Sequence, residues 1–109
     1  MNTAIQKPAV AHCDTMADVR RHIDALDAQI VALLAERTGY VAQAARIKPS
    51  ADKIVDVERI EFIVNRMRDM ANSHGGSPDV VEAAYRALIN ASIEFERGEF
   101  VRLRGGEAA

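Results

Sequence analysis

From Thr15 to Lys48 the chain runs for more than thirty residues without a proline, and its one interior glycine is Gly39. Few architectures accommodate such a stretch. Apolar residues recur at Val19, Ile23, Leu26, Ile30, Leu33, Leu34, Val41 and Ala45, the three-to-four spacing of an amphipathic helix and not the alternation of a strand. The spacing predicts one long helix. Thr15 is placed to cap it, Asp18 falls in the first turn where the helix dipole favours an anion, and Lys48-Pro49 stops it, because the residue before proline is pushed out of the helical region.

At 1.5 Å per residue such a helix is about 50 Å long, whereas a compact chain of roughly a hundred residues has a radius of gyration of only about 13 Å. The helix outruns its own domain. Its apolar stripe continues to the far end, so a surface outside the compact body must cover it, and a second copy of the same chain is the simplest source.

The 109 residues correspond to one domain, 49% apolar but only 5% aromatic and without tryptophan. An aliphatic core of slim, closely packed helices follows. With 14 basic against 16 acidic residues the net charge is −2, so no overall pull toward nucleic acid or an anionic membrane is expected. Any anion site must be local. The single cysteine, Cys13, has no internal partner and fits a reducing compartment. Residues 1–14 lack the sustained apolar run of a secretory signal or membrane span and read as a flexible leader of a cytoplasmic protein.

Beyond the first helix, PSADK is a short polar link. A second helical pattern begins near Ile54 and runs to about Ser73, where His74-Gly75-Gly76 ends it. Ser77-Pro78-Asp79 is a start signal, with serine at the cap and proline in the first turn. The third helix extends to about Arg97, Gly98 closes it, and residues 101–109 are expected to fray. No strand signal stands out, so the expected fold is all-α with three helices per chain.

Polar residues interrupt the buried faces. Arg37 and Lys48 are eleven residues apart, three turns and about 20° of rotation, so they leave one face with Cα atoms about 16 Å apart. They can grip a small dianion from its two ends. The plainer alternative for Arg37 is a snorkelling surface arginine. Arg20 lies seventeen residues before Arg37, about 25 Å along the axis and roughly 100° around it. One small ligand cannot touch both within a chain. In an antiparallel helix pair, however, Arg20 of one copy is carried toward the middle of the other; alternatively it pairs locally with Asp24. On the third helix Ser92 and Glu96 share a face with Leu88 and Ile89. Glu96 either turns to solvent or enters a site where its proton can be donated. Asp56 and Arg59, three apart at the start of the second helix, read by default as a local ion pair.

The runs MADVRRHIDALDAQIVALLAER, YVAQAARIK, IVDVERI and SIEFE resemble the all-helical chorismate mutase family, which includes the closely similar isochorismate pyruvate-lyases. The resemblance covers about residues 16 to 100, or residues 15–100 as a domain, and its most specific part is the first-helix motif. It implies an intertwined all-α homodimer with two active sites, each built from both subunits. By position, Arg20 looks like the arginine donated across the dimer, and Arg37 and Lys48 look like the cations that hold the substrate's carboxylates and ether oxygen. Arg59 falls at a family arginine near the site, Asp56 at an acidic position that contacts the ring hydroxyl, and Ser92 at a polar position near a carboxylate. Glu96 falls where members carry glutamine or glutamate facing the enol ether oxygen. Ile60 stands where the best-known mutases have a glutamate, and together with the short connection from Lys48 to Arg59 it looks more like the lyase branch, whereas Glu96 stands where the lyases have glutamine.

The implied partner is a small dicarboxylate, with no cofactor, because a pericyclic rearrangement needs no nucleophile, metal or redox group. Lys48, Glu96 and Arg37 are the expected catalytic residues, with Arg20, Asp56, Arg59 and Ser92 binding substrate. Two other readings stand beside a mutase converting chorismate to prephenate: a lyase releasing pyruvate from isochorismate to leave salicylate, and a helical dimer that binds an aromatic metabolite without catalysis.

Overall fold

The computed structural model describes residues 9–105. Helix α1 spans Met16–Ile47, a single 3₁₀ turn spans Ala51–Lys53, and α2 (Val57–Ser73) and α3 (Pro78–Leu103) follow; among the described residues there is no strand. The all-α, three-helix expectation holds. Residues 1–8 of the expected leader and 106–109 of the expected tail lie outside the described residues.

Each helix starts where a side chain can replace a missing backbone acceptor. Thr15 Oγ1 accepts from the Asp18 N–H at 3.1 Å, the Asp56 carboxylate from the Arg59 N–H at 3.0 Å, and Ser77 Oγ from the Val80 N–H at 3.2 Å, each satisfying one otherwise orphaned donor. Pro78 occupies the first turn of α3. The end of α2 is equally local: Gly75 takes φ +73°, letting the Gly76 N–H reach Ala71 O at 2.8 Å and the Gly75 N–H reach Asn72 O at 3.1 Å. That is the glycine-dependent C-terminal motif in which a left-handed residue reverses the chain.

Two boundaries differ from the sequence expectation. The second helix begins at Val57 and not near Ile54, because Asp56 caps it through the free Arg59 N–H while Ile54 turns inward and is 5% exposed. The third helix does not stop at Gly98; it continues to Leu103. A mid-helix glycine costs about 1 kcal/mol relative to alanine, but the extra turn buries Phe100 to 1% exposure against Ala45 and Ile54. Burying a side chain of that size is worth about 1.5–3 kcal/mol. Packing outweighs propensity. A Cβ built on Gly98 meets nothing within 4 Å, so Gly98→Ala is expected to raise stability by about 0.5–1 kcal/mol. Denaturant unfolding checks this, and a loss of stability would show that the position is covered by something else.

Helix α3 packs against both α1 and α2. Arg86 on α3 holds Glu82 at 2.7 Å and Glu61 of α2 at 3.1 Å, while Arg68 of α2 holds Glu82 at 2.8 Å and Asp79 at 2.9 Å. The hydrogen bonds from Arg86 and then Arg68 keep the Glu82 carboxyl below its ordinary range. These pairs lie at the surface, where they align helices more than they stabilise them.

The molecule measures 56 × 30 × 27 Å, and α1 sets the long dimension. Its second half enters the core through Ala45, which is fully buried. Its first half does not: Ile23, Leu26 and Ile30, and Leu33 just past the midpoint, are each about half exposed or more. The helix therefore does outrun the body that its own chain supplies. Among the described residues no helix is long and apolar enough to cross a membrane.

Candidate active site

The three-turn spacing of Arg37 and Lys48 has its expected consequence, since both side chains line one cavity of about 470 Å³ between α1, α2 and α3. Asp56, Arg59, Ser92 and Glu96 line the same cavity. Six of the seven expected site residues are thus brought together by one chain. The seventh is not: Arg20 is exposed on the free half of α1 and is absent from the lining.

Arg37 is partly buried and donates from Nη1 to Ser92 Oγ at 3.0 Å. Its guanidinium also stands 6.0 Å from the Tyr85 ring centroid, within the range of a cation–π attraction. A snorkelling arginine would have neither partner. Its orientation is set by α3, so the α1–α3 packing aims the cation.

Lys48 emerges where α1 ends. Its backbone is extended, with ψ 136°, as the following proline demands. Nζ lies 2.6 Å from Glu96 Oε2 and donates to Ile54 O at 3.4 Å. The Glu96 side chain is 8% exposed and that of Lys48 27%, so this ion pair is mostly removed from water. The contact is close in distance but not aligned as a hydrogen bond, and Oε2 has no aligned hydrogen-bond partner. A buried carboxyl oxygen without one is costly unless something else completes it. Glu96 therefore does not turn to solvent; it is buried in the cavity wall.

The neighbouring charges do not form the local ion pairs that their spacing suggests. Asp56 and Arg59 do not form a side-chain ion pair; Asp56 caps α2 through the Arg59 N–H, and the Arg59 guanidinium lies 5.4 Å from the Phe62 ring centroid. The cap fixes the carboxylate at the cavity rim. Arg20 makes no salt bridge with Asp24 among the described residues; the pair in that turn is Arg21 with Asp18, at 2.9 Å.

Two contributors escape the sequence reading. Lys53 lines the cavity from the link read above as a plain polar connection; the 3₁₀ turn, which no periodicity announces, brings it there. Arg104 lies in the stretch expected to fray, yet it donates to Lys48 O at 2.7 Å. Ile60 also lines the cavity and presents an apolar surface to whatever binds.

The arrangement has cations at Arg37, Lys48, Lys53 and Arg59, one buried acid, one rim acid and an aliphatic wall. It is suited to a small apolar molecule carrying more than one negative charge, and its volume is that of a small-ligand pocket. Comparison with known proteins points the same way. The family model described as chorismate mutase type II matches residues 19–97. An isochorismate pyruvate lyase of Pseudomonas aeruginosa is 32% identical over 78 residues, 72% of this chain and 77% of that protein. A chorismate mutase of Methanocaldococcus jannaschii is 30% identical over 77 residues, 70% of this chain and 78% of that protein. With the family model spanning most of the chain, and every residue that lines the cavity inside the match, this protein belongs to the chorismate mutase type II family.

Proposed function

We propose that the protein is a chorismate mutase that rearranges chorismate to prephenate in a site completed by a second copy of the chain. The observation that carries this reading is Lys48 Nζ standing 2.6 Å from buried Glu96 in the wall of a cavity that Arg37 also lines. In the rearrangement the ether C–O bond breaks as a C–C bond forms, three electron pairs moving in one cycle, and no proton is gained or lost. The protein has two tasks. It holds the flexible dianion in its compact reactive conformer, and it stabilises the negative charge that grows on the ether oxygen.

Arg37 and Arg59 face the carboxylates, Asp56 the ring hydroxyl, and Ser92 supports Arg37. Lys48 donates to the ether oxygen. Arg20 of a second copy supplies the remaining cation, which suits the exposed apolar half of α1. Cations held by packed helices suit this chemistry because their orientation is established before the charge develops.

Glu96 helps only as a neutral acid. Ionised, it cancels part of the Lys48 charge and repels the developing oxyanion; protonated, it donates a second hydrogen bond and frees Lys48. Glu96→Gln is therefore expected to keep or raise turnover, because the amide donates a hydrogen bond without carrying the charge that cancels Lys48. A large loss of turnover in the folded variant removes Glu96 from this role.

Lyase activity on isochorismate is the second reading, favoured by the lyase relative and by apolar Ile60 at the cavity. It uses the same cations at the same ether oxygen. Purified protein incubated with each substrate in turn separates the two: prephenate from chorismate supports the mutase, and salicylate with pyruvate from isochorismate supports the lyase. Consumption of neither refutes both. A thermal shift with a bicyclic dicarboxylate mimic of the transition state then reports whether the cavity still binds such an anion, because a ligand of the native state raises its apparent stability.

A further inference from the structure

A polar contact outside the cavity joins the residue just after α3 to the end of α1. Arg104 follows the final helical residue Leu103 and is partly buried. Its guanidinium carbon lies 3.5 Å from the Phe100 ring centroid. From there Nη1 donates to Ala45 O at 3.1 Å and to Phe100 O at 3.4 Å, and Nη2 donates to Lys48 O at 2.7 Å.

The recipients have a common reason to need it. In a continuing helix the Ala45 carbonyl would accept from residue 49, but that residue is Pro49 and has no N–H. The Lys48 carbonyl, where the chain turns out of the helix, likewise has no helical donor. One planar guanidinium can serve both, because its donors fan out at fixed angles, and its charge also opposes the negative end of the α1 dipole. Lys48 is thus held at both ends from α3: Arg104 holds its backbone and Glu96, two turns earlier on the same helix, its ammonium.

Resting on the reading of Lys48 as the donor to the ether oxygen, we propose that Arg104 is a positioning residue for the reaction, fixing the backbone from which the Lys48 side chain departs. It does not line the cavity and touches no substrate. Its effect falls on the transition state, where the Lys48 hydrogen bond matures, and little on initial binding.

The test compares the full-length wild type with Arg104→Met, Arg104→Lys and the control Arg102→Met, whose arginine pairs with Glu99 in the same final turn. All are assayed on chorismate and isochorismate well below their melting temperatures, and amide hydrogen exchange is followed at Lys48 and residues 50–54. A small displacement of a reacting group costs up to about a hundredfold, so Arg104→Met is expected to lose about tenfold to a hundredfold in kcat. KM should stay within about twofold, since uniform binding is untouched. Exchange across residues 50–54 should quicken. Arg104→Lys should fall between, because a point charge opposes the dipole but cannot hold both carbonyls; it also serves if Arg104→Met fails to fold. Arg102→Met should match the wild type. A folded Arg104 variant with wild-type kcat, or a kcat loss shared equally by Arg102→Met, overturns the inference. If the wild type consumes neither substrate, the proposed function fails separately and exchange alone decides: unaltered exchange at residues 50–54 in the Arg104 variants then refutes the anchor itself.

Discussion

Lys48→Ala is expected to reduce turnover by about two to three orders of magnitude, the loss seen when one preorganised donor to a developing oxyanion is removed. The structure adds a condition to this test. Removing the ammonium leaves Glu96, a buried residue, without its counter-charge, and an uncompensated buried charge is itself strongly destabilising. The single variant therefore confounds stability with chemistry. The double variant Lys48→Ala, Glu96→Gln separates them, because a neutral amide needs no ammonium beside it. It should regain much of the stability lost by the single variant and none of the turnover. Stability is read from denaturant unfolding and turnover from substrate consumption, each at the same pH. Near-wild-type turnover in the folded double variant would end the assignment of Lys48 as the ether-oxygen donor.

Mixing two inactive variants should restore activity if each site draws on two chains. Arg20→Ala and Lys48→Ala are each expected to be nearly inactive alone. In a hybrid of one copy of each, the site with the intact Lys48 receives the intact Arg20 of the other copy, while the second site carries both lesions. Random reassociation makes about half the dimers hybrids, each with one good site, so the mixture should recover about a quarter of wild-type turnover. Unfolding and refolding the two proteins together, against each refolded separately, provides the comparison. No gain on mixing would place Arg20 outside the site, and a chain that sediments as a monomer would exclude the arrangement altogether. The half-exposed Ile23, Leu26 and Ile30, with Leu33 just beyond them, make an uncovered α1 costly, since each forgoes about half of the roughly 1.5–3 kcal/mol that full burial of such a side chain provides.

The residues that could be found in the sequence are those whose placement depends on helical period alone. Arg37 and Lys48 share a face because eleven residues make almost three whole turns, and both do line the cavity. Ser92 and Glu96 are adjacent on α3 for the same reason. What period cannot supply is the partner across a helix interface. Arg37 meeting Ser92, and Lys48 meeting Glu96, depend on the angle and register at which α1 and α3 cross. Asp56 shows the limit in another form: three-residue spacing fits an ion pair and a helix cap equally, and the cap prevailed because the first N–H groups of α2 had no other acceptor.

Caps, the proline after Lys48, the glycines after His74 and the unbroken apolar period were sufficient to define three helices and the excess length of the first. These are local properties, decided within one turn of the chain. The end of α3, the inward turn of Ile54, the recruitment of Lys53 and the hold of Arg104 on the α1 terminus were decided only by tertiary packing. Phe100 gains more from burial against Ala45 and Ile54 than Gly98 loses in the helix, and that balance depends on residues more than forty positions away.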